Sequence, residues 1–264
     1  MINTAKSLWH YRHFIRSAIV SEFKGRFARS ALGGFWFIIN PLAQAAIFAV
    51  VLSEVLRAKM PNINNDAAYA IYLMAGLAAW GLFSEILNRC TNVFIEFSSA
   101  LKKISFPRLC LPVIVGGSAL LNHVILLAAM VVVFAFFSHA PNTAWLVLPI
   151  GAALLALMAF GLGITLGVIN VFSRDIGQVI AIVVQLWFWL TPIVYTRDTV
   201  PKKFQWFLDF NPVVPMVRLY QDVVLLGQLP QWPSLLMPTL VSLVLAAFAL
   251  LVFRRASPDI VDAL

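Results

Sequence analysis

Apolar positions in this chain fall into six long runs: Phe35–Leu52, Ala67–Leu87, Leu109–Phe137, Trp145–Phe172, Ile176–Tyr195 and Leu235–Phe253. A bilayer core takes about 20 apolar residues at helical rise to cross, and irregular backbone in hydrocarbon would leave amides unpaired. The runs therefore predict an all-α integral membrane protein with six spans, at about 35–56, 67–88, 109–137, 145–172, 176–195 and 235–253. The segments between them are too short to fold as soluble domains, so residues 35–264 form a single transmembrane domain. Whatever the protein does, it does in or across a membrane.

A different period precedes the first span. Leu8, Tyr11, Ile15, Ile19, Phe23 and Phe27 recur at steps of three and four, with Arg12, Arg16, Ser17, Ser21 and Lys24 between them. Residues 1–34 thus hold an amphipathic helix suited to the membrane surface. Span one carries Asn40-Pro41 and Gln44; amide side chains in hydrocarbon want partners, so this helix faces protein or water. After span two, Thr91–Ala100 carries Phe94, Glu96 and Phe97 and leads into Lys102-Lys103-Ile104-Ser105-Phe106-Pro107-Arg108. It reads as a short helix outside the membrane closed by a Pro turn. The residues alone leave open whether it is a solvated connection or docks on another protein.

Spans three and four exceed the minimum, which predicts tilt or extension beyond the bilayer, and the short connection Ser138–Ala144 makes them an antiparallel hairpin. Gly163 and Gly167 have the spacing that lets helices approach closely. His123 beside Asn122 is expected to form an interhelical hydrogen-bonding unit. Ser173-Arg174-Asp175 is a tight polar turn between spans four and five. Span five ends in the aromatic cluster Trp187–Tyr195, a membrane-interface belt whose three successive rings cannot all face lipid. Beyond it, Lys202–Asp209 predicts a short amphipathic helix, Asn211-Pro212 a break, and Val213–Leu226 a second helix stopped by Gly227. This hairpin, within 196–233, is too apolar for a free loop and is expected to re-enter the outer leaflet or cap the bundle.

Composition sharpens this reading. Hydrophobic residues make up 61% of the chain and charged residues 11%, against about 25% charged in an ordinary soluble domain. The net charge of +8 is topological. Thirteen of the 19 basic residues lie on the side of the N-terminus and six on the other, which places both termini in the cytoplasm and argues against nucleic acid. Cys90 and Cys110 fall on the reducing side without metal-ligand spacing and read as unpaired thiols. The first 30 residues lack the compact apolar core of a cleavable signal peptide. No G-x-x-x-x-G-K-[ST] loop is present, so no ATP binding by this chain is expected. Ionisable groups are scarce inside the spans, where an ion-coupled transporter would need them. Energy is expected to come from outside the chain.

Taken in order, four stretches resemble the membrane subunit of ABC exporters for cell-surface polysaccharides, the Wzm-type permeases of O-antigen export, related to capsule and teichoic-acid exporters. They are Arg26–Trp36 with Asn40-Pro41-Leu42; Leu101–Pro112 with its Lys-Lys-x-x-Phe-Pro-Arg-x-x-x-Pro pattern; Ser173-Arg174-Asp175 with Thr191–Tyr195; and Asn211-Pro212 with Arg218 and Gly227. The resemblance implies a homodimer enclosing one channel in a bacterial inner membrane. It also implies two separate ATPase subunits that bind ATP and magnesium, leaving this chain without a cofactor or metal of its own, and an undecaprenyl-type lipid-linked polysaccharide as cargo. Phe94, Glu96, Phe97, Lys102, Lys103 and Arg108 would couple to the ATPase beside a cytoplasmic turn of Arg174 and Asp175. The N-terminal amphipathic helix would guide the lipid-linked cargo, and Phe204, Phe207, Asn211 and Pro212 would belong to an outer gate. Candidate path residues are Trp36, Asn40, Gln44, Trp187, Trp189 and Tyr195, since aromatic rings pair with the apolar C–H faces of sugars. The alternative within this fold is an ABC permease for a drug, lipid or other small hydrophobic cargo. An intramembrane enzyme would need a catalytic set that the sequence lacks, and a passive channel would need no ATPase.

Overall fold

The structure, a computed structural model, describes residues 9–27, 33–36, 39, 43, 68–103, 106–136 and 139–264, and its regular elements are all helical. Asn40 and Gln44, with most of predicted span one, lie outside the described residues. The helices are α1 (Arg12–Phe27), α2 (Ala68–Glu96), α3 (Ser98–Lys103), α4 (Cys110–Phe136) and α5 (Leu148–Phe172). They continue with α6 (Asp175–Trp189), α7 (Gln205–Phe210), α8 (Val213–Gln221), α9 (Leu236–Ala256) and α10 (Ile260–Ala263). Among the described residues, four segments are long and apolar enough to cross a bilayer: Ala68–Glu96, Cys110–Ala135, Thr143–Phe172 and Trp232–Ala256. They match predicted spans two, three, four and six.

Helix α2 is the centre of the bundle. It packs against α4, α5, α6 and α8, and its side chains from Ile71 to Trp80 are all buried. Lipid tails are as apolar as leucine, so apolarity alone cannot drive such packing; close van der Waals fit must. The sequence supplies it with Ala75, Gly76, Ala78 and Ala79, small enough to let neighbouring backbones in. Helix α5 meets α2 through Gly163 and Gly167, as their spacing predicts. A Cβ on Gly163 would sit 2.6 Å from the Cβ of Cys90, and one on Gly167 would overlap the Cys90 carbonyl. Helix α4 makes its main contact with α2 rather than with α5, its neighbour along the chain, and α9 packs on α5.

Local signals set the ends. Asn142 accepts from the amide of Ala144 at 3.0 Å and caps a 3-10 turn (Thr143–Val147), after which Pro149 occupies the first turn of α5. Beyond α8 the chain makes a π-helical turn, Asp222–Leu226, which Gly227 ends at φ +65°.

Two expectations are corrected. Thr91–Ala100 is not a separate helix outside the membrane: α2 runs unbroken to Glu96, so Thr91–Phe94 continue the helix of predicted span two and only Ser98–Lys103 forms the short helix. Buried partners on α5 and α9 keep that extra turn of α2 helical. Predicted span five also ends early. Helix α6 has 15 residues, about 22 Å at helical rise, which is short of a core about 30 Å thick. The chain leaves the helix at Leu190, and Thr191–Val194 turn back as buried, non-helical backbone.

Candidate functional site

The basic end of the bundle gathers the termini of α2, α4, α5, α6 and α9. Phe94, assigned from sequence to an exposed coupling segment, is fully buried and stacked on Phe253 with centroids 6.0 Å apart. It belongs to the core because its position on α2 points toward α9. Glu96, Phe97, Lys102 and Lys103 are exposed, whereas Leu101 is buried and anchors α3. The carbonyl of Phe97 accepts from the amides of Ala100 and Leu101 at 3.0 and 2.9 Å, starting α3 after a tight turn. Lys102 and Lys103 occupy its last turn, where the helix dipole favours cations. Arg108 is half-buried and donates to the hydroxyl of Ser257 at 3.1 Å, linking the Pro107 turn to the segment after α9. Ile260 of α10 is fully buried there, and α10 packs on α3 and α5.

Arg174 and Asp175 form an exposed turn, as predicted. The residue that holds this turn is one the sequence reading missed. Asn170 accepts from the amide of Gly177 at 2.9 Å and donates to the Thr91 carbonyl at 2.9 Å and the Asn92 side chain at 3.2 Å. An amide inside the apolar run Val168–Val171 was the available signal. A second missed group is Arg89, which pairs with Glu85 at 3.2 Å and with Glu22 of α1; Asn122 donates to the same Glu85 at 3.1 Å. The i,i+4 spacing of Glu85 and Arg89 was legible, but their link to α1 was not.

At the opposite end, the hairpin closes over the non-helical segment. Asn211, between α7 and α8, accepts from the Trp187 indole N–H and the Val213 amide, both at 3.1 Å, and donates to the Thr191 hydroxyl at 3.1 Å. Trp187 also meets Trp80 and Phe83 edge-on at 6.4 and 5.3 Å. Buried carbonyls outside a helix would each cost several kcal/mol in order of magnitude if left unpaired. Tyr69 donates to Val194 O at 2.8 Å, Tyr72 to Tyr195 O at 3.0 Å and Pro192 O at 3.1 Å, and Gln221 to Pro192 O at 3.0 Å. These donors were also missed, because their partners lie more than a hundred positions away for both tyrosines.

His123 and Asn122 do form interhelical hydrogen bonds, His123 with the Tyr220 hydroxyl of α8 at 2.8 Å. His139 donates to Val224 O in the π turn at 2.6 Å. Trp189, Phe204, Phe207 and Trp36 are exposed, and Tyr195 is half-buried with its hydroxyl donating to Trp189 O at 2.8 Å. Trp187 and Asn211, placed in different groups from sequence, are therefore one unit, while Trp36 is not among the described partners of either. A cavity of about 240 Å³ with a mixed polar and apolar lining lies beside the hairpin, with the ion pairs Arg197–Asp209 at 2.6 Å and Arg218–Asp222 at 3.3 Å in its wall. Burial raises the Asp222 carboxyl above its ordinary value although Arg218 beside it works the other way.

Residues 14–225 match the family described as ABC-2 type transporter. An O-antigen export system permease protein of Klebsiella pneumoniae is 30% identical over 213 residues, covering 79% of this chain and 78% of its own. One of the same description from Myxococcus xanthus is 27% identical over 268 residues, covering both chains completely at 100%. A polysialic acid transport protein of Escherichia coli is 25% identical over 244 residues, 91% of this chain and 92% of its own. A match of this extent includes α1, the α2–α6 bundle and the hairpin alike: the chain belongs to the ABC-2 type transporter family of membrane transport subunits.

Proposed function

We propose that this protein is the permease subunit of an ATP-driven exporter that moves a lipid-linked polysaccharide, O-antigen-like in kind, across a bacterial inner membrane. The end-to-end similarity to an O-antigen export permease carries the reading, and the polysialic acid transport relative supports a glycan cargo over a small hydrophobic one. In this reading six passes, the fifth made by α6 together with the non-helical Thr191–Tyr195, leave both termini in the cytoplasm, and two copies enclose the channel. ATP and magnesium bind to two partner ATPases, which seat against the exposed face of α3.

Glu96, Phe97, Lys102 and Lys103 then form the coupling surface, with Phe94 and Arg108 holding it from behind. The hairpin is the outer gate, hinged at Asn211-Pro212. Gate and conduit touch through Trp187, and Trp189 and Tyr195 remain available to a passing sugar. Deleting the gene in its host is expected to remove surface polysaccharide and to trap lipid-linked polymer inside the cell, with rescue by the intact gene. Unchanged surface glycan in the deletion strain would overturn the glycan cargo.

A further inference from the structure

Helix α1 rises along α4 from the basic end, with Phe14 against Phe106, Ile15 against Cys110 and Ile114, and Ile19 over Gly117. A Cβ on Gly117 would overlap the Ile19 side chain, so glycine sets how closely the two helices approach there. They do not close on the adjoining face. Arg12, Arg16 and Val20 recur there at i, i+4, and between them and Leu120, Leu121 and Val124 of α4 runs an open groove of about 530 Å³.

The groove is graded along its length. Its mouth carries two guanidinium groups and its far part is hydrocarbon. Arg12 donates to Trp9 O at 3.1 Å and lies 5.1 Å from that ring, which leaves it further donors. Arg16 is exposed and makes no ion pair or side-chain hydrogen bond among the described residues. The acid on this helix, Glu22, is engaged by Arg89. Apart from the two arginines, no lining side chain can hydrogen-bond, so nothing in the groove reads a sugar.

We propose that this groove binds one anionic phospholipid of the cytoplasmic leaflet, its phosphate on Arg16 and Arg12 and an acyl chain against Val20, Leu121 and Val124. A groove open sideways in a membrane protein is filled by lipid, and a basic mouth selects the anionic kind. The bound chain completes the α1–α4 contact and so holds Glu22 against Arg89. The proposal is independent of the exported cargo.

Native mass spectrometry of the detergent-solubilised full-length protein, titrated with phosphatidylglycerol or phosphatidylethanolamine, tests it. One phosphatidylglycerol per chain is expected to bind in preference to phosphatidylethanolamine. Arg16→Ala should weaken that binding about fivefold, the worth of one basic side chain at an anionic surface. Lys24→Ala, on the same helix outside the groove, should leave it unchanged. Val20→Trp, at an exposed position, should fill the groove and block both lipids without loss of thermal stability. Equal binding of the two lipids with no effect of Arg16→Ala would overturn the proposal. So would co-purification of a pyrophosphate-linked polyprenyl lipid displaced by the Arg16 change, which would assign the groove to the cargo.

Discussion

Trp187 donates its indole N–H to the side-chain oxygen of Asn211 at 3.1 Å, so the last turn of α6 is tied to the break between the two hairpin helices. Asn211 uses that same oxygen for the Val213 amide and its NH2 for Thr191. One buried amide thus holds three segments. Asn211→Ala should destabilise the protein by about 2–3 kcal/mol, since it strands the indole donor of Trp187 and the Val213 amide at once. Trp187→Phe keeps most of the ring contact and should cost about 1 kcal/mol. Thermal denaturation in detergent orders the two; equal losses would mean that packing, not the hydrogen bonds, holds the hairpin.

The two tyrosines of α2 are expected to control access to the non-helical segment. Interhelical hydrogen bonds in membranes average only about 0.6 kcal/mol, so Tyr72→Phe should lower stability modestly. Combined with Tyr69→Phe, it leaves the carbonyls of Val194 and Tyr195 without those donors and should loosen Thr191–Val194. A cysteine placed at Ile193, fully buried, in a background lacking Cys90 and Cys110, should resist maleimide with both tyrosines present and react in the double variant. Continued protection would remove the tyrosines from this role.

Glycines on two helices should respond in opposite directions. Gly167→Ala drives a methyl into the Cys90 carbonyl and should cost about 1–3 kcal/mol by overpacking. Gly81→Ala meets nothing within 4 Å and should gain about 0.5–1 kcal/mol, as alanine suits a helix interior better. Melting temperatures of the two variants, measured side by side, check the sign.

At the basic end, stability and coupling should separate. Lys102→Glu with Lys103→Glu, both exposed, is expected to abolish co-purification of the ATPase subunit while leaving the melting temperature unchanged. Phe94→Ala should do the reverse first, costing about 3–5 kcal/mol as a core truncation. Retained ATPase binding in the double lysine variant would place the docking surface elsewhere.

The Arg108–Ser257 bond joins α3's flank to the C-terminal segment. Ser257→Ala should leave ATPase binding intact but reduce export per ATP hydrolysed, because α3 loses a brace rather than its contact face. An unchanged ratio of transport to hydrolysis would make the bond purely structural.

Much of this arrangement was legible along the chain. Length and apolarity are local properties, and the bilayer sets the length a span needs, so spans two, three, four and six could be placed by counting residues. Glycine at 227 and the Asn211-Pro212 break act through their own backbone dihedrals, and both ends fell where expected. The His123–Asn122 unit and the Gly163–Gly167 face were recognisable because a polar or small residue in hydrocarbon has few uses besides meeting another helix.

Which residue meets which was decided by the fold. Phe94 looked like part of an exposed segment until Phe253, far along the chain, was brought onto it. Helix α6 looked long enough to span because Leu190–Tyr195 continue its apolar run, yet that run is satisfied by carbonyl bonds to Tyr69, Tyr72 and Gln221 instead of by helix. Apolarity records only that a residue leaves water, and in this bundle lipid, core and irregular buried backbone meet that condition equally. The choice among them rests on hydrogen-bond partners and close packing supplied by distant segments, which only the assembled helices bring within reach.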